Sequence, residues 1–201
     1  MSKKILIAGD SFSSDWTVKY SNHGQGWPNM IANDYFVKNI AMAGSSIVRT
    51  LWQLQSEQIN NYDVVIVSHT SPNRIYVDEH PVHKDDPLHK NADLIHTDIK
   101  YHAKERPELQ CIVDYFEQYN DINCSRFIYN LIEEKIDEIF KNYTGAVIHM
   151  TNLPRDGLYK FKDMLDYSHF MGKQHRGLMN HYNDKTNTII YNRVKQLIES
   201  E

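Results

Sequence analysis

The chain is poor in cysteine. Its 201 residues include two, Cys111 and Cys124, and neither sits in a CxxC pair or at a metal-ligand spacing. A dense disulfide framework and a cysteine-built metal centre are both excluded. Two free thiols in a reducing compartment are the expectation, although the spacing leaves a single bridge open. Long apolar runs are missing as well. The run that follows Lys3 and Lys4 stops at Gly9, too short for a signal-peptide core, and nothing approaches the roughly 20 apolar residues of a spanning helix. A cytoplasmic protein with no membrane partner is expected. Nor is there an excess of one charge. With 22 Lys and Arg against 26 Asp and Glu, the formal net charge is −4. This gives no electrostatic footprint for nucleic acid or an anionic surface, while neutral or cationic small substrates stay open. There is no internal repeat and no low-complexity tract.

What is present is an ordinary globular composition, 41% hydrophobic and 24% charged, of a length that suits one domain over residues 1–201. Ile5 to Ala8 is an unbroken apolar run ended by Gly9, the pattern of a strand buried on both faces. "GWPNMIANDY" reads as a helix start, with Pro28 at an early helical position. "FVKNIAMAG" is a second short strand, "SIVRTLWQLQSEQI" a helix, and "YDVVIVSH" the strongest strand of the chain. From about 75 to 107 the character changes. Pro81, Pro87 and Pro107 and the histidines at 80, 83, 89, 96 and 102 mark a long insertion, partly helical, that lids one edge of the domain. Helical spacing returns at "LQCIVDYFEQYN" and across 122–143. "GAVIHM" is a fourth strand, a polar His-rich segment follows to about residue 183, and "KTNTIIYNRVKQLIES" closes the chain as an amphipathic helix.

Strands that alternate with helices imply an α/β domain, a doubly wound, flavodoxin-like parallel sheet with helices on both faces. Ligands of such folds bind beyond the carboxyl ends of the strands. The loops to inspect are therefore Gly9–Ser13, Ala43–Ser46, His69–Arg74 and Thr151–Pro154. They supply Gly-Asp-Ser at 9–11, Gly44 among small residues, and Asn73 in "SHTSPNR". His181 in "MNHYN" stands just before the last helix.

Ser, Gly, Asn and His in that order resemble the SGNH, or GDSL-type, hydrolases. The resemblance covers most of the chain outside the insertion and rests on "ILIAGDS", "GWPNMIA", "N-x-A-x-x-G-S-S" and the histidine ahead of the final helix. It implies a serine esterase that needs no cofactor. Ser11 would be the nucleophile and His181 its base. The Ser11 and Gly44 backbone N–H groups and the Asn73 amide would form the oxyanion hole. A serine hydroxyl needs such a base at neutral pH, and each oxyanion donor is typically worth about 3 kcal/mol of barrier. Asp10 is expected to hold the loop beside the substrate, and Arg74 to meet an anionic group on it.

Two blocks depart from the family pattern. The third lacks its usual Gly and Asp, and Asn73 reaches the site only if its loop is one residue longer; otherwise Ser71 or a backbone donor takes its place. In the fifth, Asp166-Tyr167-Ser168-His169 reproduces the Asp-x-x-His spacing, yet His181 lies at the mouth of the last helix with Leu178 three residues before it. His181 is favoured as the base, its ring held by a backbone carbonyl or by Asp166 reaching from elsewhere; His169, with Asp166 three residues before it, is the alternative. No metal is expected, because the insertion histidines are irregularly spaced and no Cys or tight carboxylate group joins them. The expected substrate is a small-molecule ester, including O-acetyl groups on carbohydrate. The alternatives are a non-catalytic SGNH-like domain that binds a ligand or partner, and a metal-dependent hydrolase built on the His-rich insertion. Oligomeric state is left open.

Overall fold

The computed structural model describes residues 3–18, 25–153, 161, 163–177 and 181–200. Its centre is a five-stranded sheet, β1 (Lys4–Ala8), β2 (Phe36–Asn39), β3 (Val64–His69), β4 (Ala146–Thr151) and β5 (Leu165–Asp166), in the order β2-β1-β3-β4-β5. Every pairing is parallel. The helices are α1 (Trp27–Asp34), α2 (Ile47–Gln55), α3 (His96–His102), α4 (Gln110–Asp114), α5 (Ile122–Phe140) and α6 (Asp184–Ser200), with a π-helical turn at Tyr115–Tyr119. This is the doubly wound α/β architecture that the alternation of elements implies.

Side-chain alternation along the central strands sorts the two faces. Ile5, Ile7, Val64, Ile66, Ile148 and Met150 point to one side, where they pack with Trp27 and Ile31 of α1 and Ile190, Val194 and Ile198 of α6. Leu6, Ala8, Val65 and Val67 point to the other and meet Ile47, Leu51 and Leu54 of α2 and Tyr129 and Ile136 of α5. All six residues of β3 are buried, and Val64 to Val67 meet apolar neighbours on both faces, which is why that stretch reads as a continuous β-branched run.

The fifth strand falls inside the segment that reads as polar from sequence. It is two residues long, held by pairing of Leu165 with Met150 and Asp166 with Thr151, too short to leave a periodicity. The insertion is less solvated than its composition suggests. Leu94, Ile99, Leu109, Val113 and Phe116 form a small core of their own. Buried Asp93 fastens it to the domain by accepting the Ser46 N–H at 2.6 Å and pairing with Arg49 at 2.9 Å. Both cysteines are free and exposed. Among the described residues no helix is long and apolar enough to cross a membrane.

Candidate active site

The chain leaves β1 to build β2 on one side and returns to build β3 on the other. The carboxyl ends of β1 and β3 therefore flank the point where the strand order reverses, the usual ligand crevice of this fold. Gly9 starts the turn there with φ +143°, and a Cβ on it would lie 2.5 Å from the Ser68 Cβ on β3. Only glycine allows β1 to turn so close to its neighbour.

Asp10 is wholly buried. Its carboxylate accepts the Phe12 N–H at 3.1 Å and the Ser68 hydroxyl at 3.5 Å, and stands 3.4 Å from the Arg74 guanidinium. Burial raises its pKa above the ordinary value; Arg74 and these hydrogen bonds pull the other way. Arg74 also donates to the Ser45 carbonyl at 2.8 Å. It therefore ties three strand-end loops together around a buried acid.

Ser11 follows, 8% exposed, with its carbonyl accepting from the Trp16 indole at 2.7 Å. It lines a pocket of about 570 Å³ together with Gly44 and His181. Gly44 has φ +78°, and a Cβ there would sit 2.6 Å from the Ala92 Cβ of the insertion. Gln53 of α2 fixes the first loop against the second. It accepts from the Gly9 N–H at 2.7 Å and donates to the Gly9 carbonyl at 3.1 Å and the Ser45 hydroxyl at 3.2 Å. The His181 ring leans on Trp16 and Phe12, with centroids 4.1 and 4.7 Å apart. Its neighbour Tyr182 enters the core and donates to Asn152 at 2.8 Å. Asn152 in turn donates to Ser68 at 3.2 Å, which completes a polar chain from the last helix to Asp10. Pro154 and Leu178 lie outside the described residues.

The remaining candidates are elsewhere. Asn73 is exposed; its N–H donates to the Ser71 hydroxyl at 3.2 Å, and both residues line a separate pocket against Phe116 and Asn120. Asp166 is at the sheet edge on β5, capping the Ser168 N–H at 2.9 Å. His169 is exposed, its ring 4.0 Å from Phe170, and does not line the Ser11 pocket. The Asp-x-x-His string is thus a turn at the edge strand.

The insertion supplies the pocket's outer wall through His80, His83, Asp86, His89, Asp98 and Tyr101, in line with its reading as a lid, although sequence reasoning did not single out Asp86. Sequence reasoning also missed the carboxylate that joins the histidines. Asp98 enters from the first turn of α3 and lies 2.9 Å from His83 Nε2 and 3.7 Å from His80 Nε2. The residue types were visible; the fold that gathers them was not. A scan of protein-family models and a search of curated proteins find no match to this chain.

Proposed function

We propose that the protein is a serine ester hydrolase of the SGNH type, acting through an acyl-enzyme on Ser11. The observation that carries the reading is the convergence of Ser11, Gly44 and His181, from three distant segments, on one pocket at the switch point of the sheet. In this reading the Ser11 Oγ attacks the acyl carbonyl while His181 takes its proton. The tetrahedral oxyanion is held by the Ser11 and Gly44 backbone N–H groups, His181 returns the proton to the leaving alcohol, and water then cleaves the acyl-enzyme by the same steps in reverse. Asn73 has no part in this scheme, and Arg74 serves Asp10 rather than the substrate.

The pocket wall favours a polar substrate. Histidines, Asp86, Asp98, Trp16 and Tyr101 line it, and among the described lining residues there is no Lys or Arg. That suits an uncharged, hydroxyl-rich ester such as an acetylated sugar better than an anionic ester or a long acyl chain. Incubation with a short p-nitrophenyl ester and with a fluorophosphonate probe tests the reading. Hydrolysis and labelling that vanish in Ser11→Ala and in His181→Ala, and persist in His169→Ala, are expected; full activity in Ser11→Ala overturns it. The second reading, a ligand-binding domain without catalysis, is favoured by the exposed position of Asn73. It predicts a folded protein that the probe does not label.

A further inference from the structure

Asp98 is the centre of a histidine cluster. His83 Nε2 lies 2.9 Å and His80 Nε2 3.7 Å from its Oδ2, and His102 Nε2 lies 3.8 Å from its Oδ1. The His80 and His83 rings stack with centroids 4.6 Å apart. One donor atom from each of His80, His83 and Asp98 falls within 4.8 Å of the other two. All three residues line the pocket that contains Ser11. We propose that His80, His83 and Asp98 hold a divalent transition cation of the zinc class in the outer wall of that pocket.

The donor set selects the ion. Two imidazoles and one carboxylate suit zinc and its first-row neighbours, whereas magnesium and calcium prefer all-oxygen sites. Zinc bonds of about 2.0–2.2 Å in a tetrahedron place neighbouring donors about 3.3–3.5 Å apart. The two observed separations from Asp98 Oδ2 bracket that range, so small side-chain rotations close the site. Three protein ligands leave a fourth position open, as in zinc centres that bind an exchangeable group. His102 Nε2 stands 3.8 Å from the second carboxylate oxygen, close enough to become the outer partner that metal-bound carboxylates carry once the site closes.

Coordination also has a cost. His80 Nδ1 now stands 3.2 Å from the N–H groups of both Val82 and His83. Binding through Nε2 places the ring proton on Nδ1 and exchanges these two long contacts for the metal bond. Burial helps, since it keeps His80 in the neutral form that ligates. The sequence hides the site because Asp98 lies 15 residues from His83 and comes close only when α3 packs on the turn at 80–83. If the pocket is an esterase site, the open position takes a hydroxyl oxygen of the substrate. That use rests on the proposed function; the cation site does not.

Full-length protein stripped with chelator and desalted is titrated with zinc chloride by calorimetry and with cobalt(II) by visible absorption. One equivalent per chain and a tetrahedral cobalt spectrum are expected. His83→Ala and the near-isosteric Asp98→Asn should each weaken binding more than about tenfold, the loss that outer partners alone can cause. His96→Ala should bind normally, because His96 faces Glu117 instead. Circular dichroism of each variant without metal checks folding, and Asp98→Asn carries the test if His83→Ala does not fold. No binding, or binding indifferent to both variants, overturns the proposal. Fluorophosphonate labelling of the same samples separates the two ideas: cation binding without labelling removes the esterase reading alone, and labelling without cation binding removes the cation site alone.

Discussion

Arg74 and Asp10 form a nearly sealed ion pair, with side chains 10% and 0% exposed. Removing one member of such a pair strands the other, which typically costs about 3–5 kcal/mol. Arg74→Met is therefore expected to destabilise the protein by that order in urea unfolding at pH 7. The sign of the pH effect follows from Asp10, whose folded-state pKa is already raised. An acid with a raised pKa favours the folded state below its unfolded pKa, ordinarily 3.8, and loses that advantage as pH rises through the folded value. Without Arg74 the folded value rises further. The deficit of Arg74→Met should shrink as pH falls from 7 toward 4, and a deficit that grows instead removes the ion pair as its cause. Gly44 gives a second test at this scale. Gly44→Ala meets both the positive φ and the Ala92 Cβ 2.6 Å away, so a loss of roughly 1–3 kcal/mol is expected. The double variant with Ala92→Gly should recover only the steric part. Gly44 and Ser11 were legible because their motifs sit at strand ends. Gln53 and Asn152 were not, since an amide in a helix or after a strand carries no sequence sign of the loop it will clamp.

At the scale of elements, the insertion has a defined attachment. Asp93 receives the Ser46 N–H at the start of α2, pairs with Arg49 and accepts the Val77 N–H at 3.2 Å, while its own N–H donates to the Gly44 carbonyl at 3.2 Å. Asp93→Ala leaves the Arg49 guanidinium and two N–H groups without this carboxylate. Amide hydrogen exchange in α3 and α4 is expected to quicken by about tenfold or more, as a local opening cheaper by about 1.4 kcal/mol would give, while β1 and β3 stay protected. Equal quickening in β1 and β3 would mean that the insertion and the sheet open as one unit. Four strands and most helices were readable because each buries a stripe or a full face, and burial is what periodicity records. The insertion resisted reading for the opposite reason. The core it shares with the helices that follow has five buried side chains spread over Leu94 to Phe116, and the carboxylate that helps fix its position looks like any other surface acid in the sequence.

At the scale of the molecule, the sheet carries a polar seam as well as an apolar core. His69 at the end of β3 stands 3.3 Å from the buried Glu133 of α5 and 2.9 Å from His149 of β4, whose ring stacks on Phe161 at 3.8 Å. The seam between β3 and β4, otherwise a backbone ladder with apolar packing, thus holds two imidazoles whose protonation state bears on stability. Burial, with His69 beside it, pushes the His149 pKa down to about 3 from an ordinary 6.5. A base with a depressed pKa stays neutral in the folded chain while its unfolded counterpart takes up a proton. Folding stability must therefore fall as pH drops below about 6.5 and go on falling until the folded value is reached. One such histidine removes about 1 kcal/mol between pH 6 and pH 5, where carboxylates of ordinary pKa contribute little. Urea midpoints measured at half-unit intervals from pH 7.5 to 4.5 should show this decline. His149→Phe keeps the stacking on Phe161 but has no proton to accept, so it should start less stable at pH 7.5, with the 2.9 Å contact to His69 lost, and lose less on acidification. Parallel pH profiles for the variant and the parent protein would show that the acid sensitivity of this fold arises away from the β3–β4 seam.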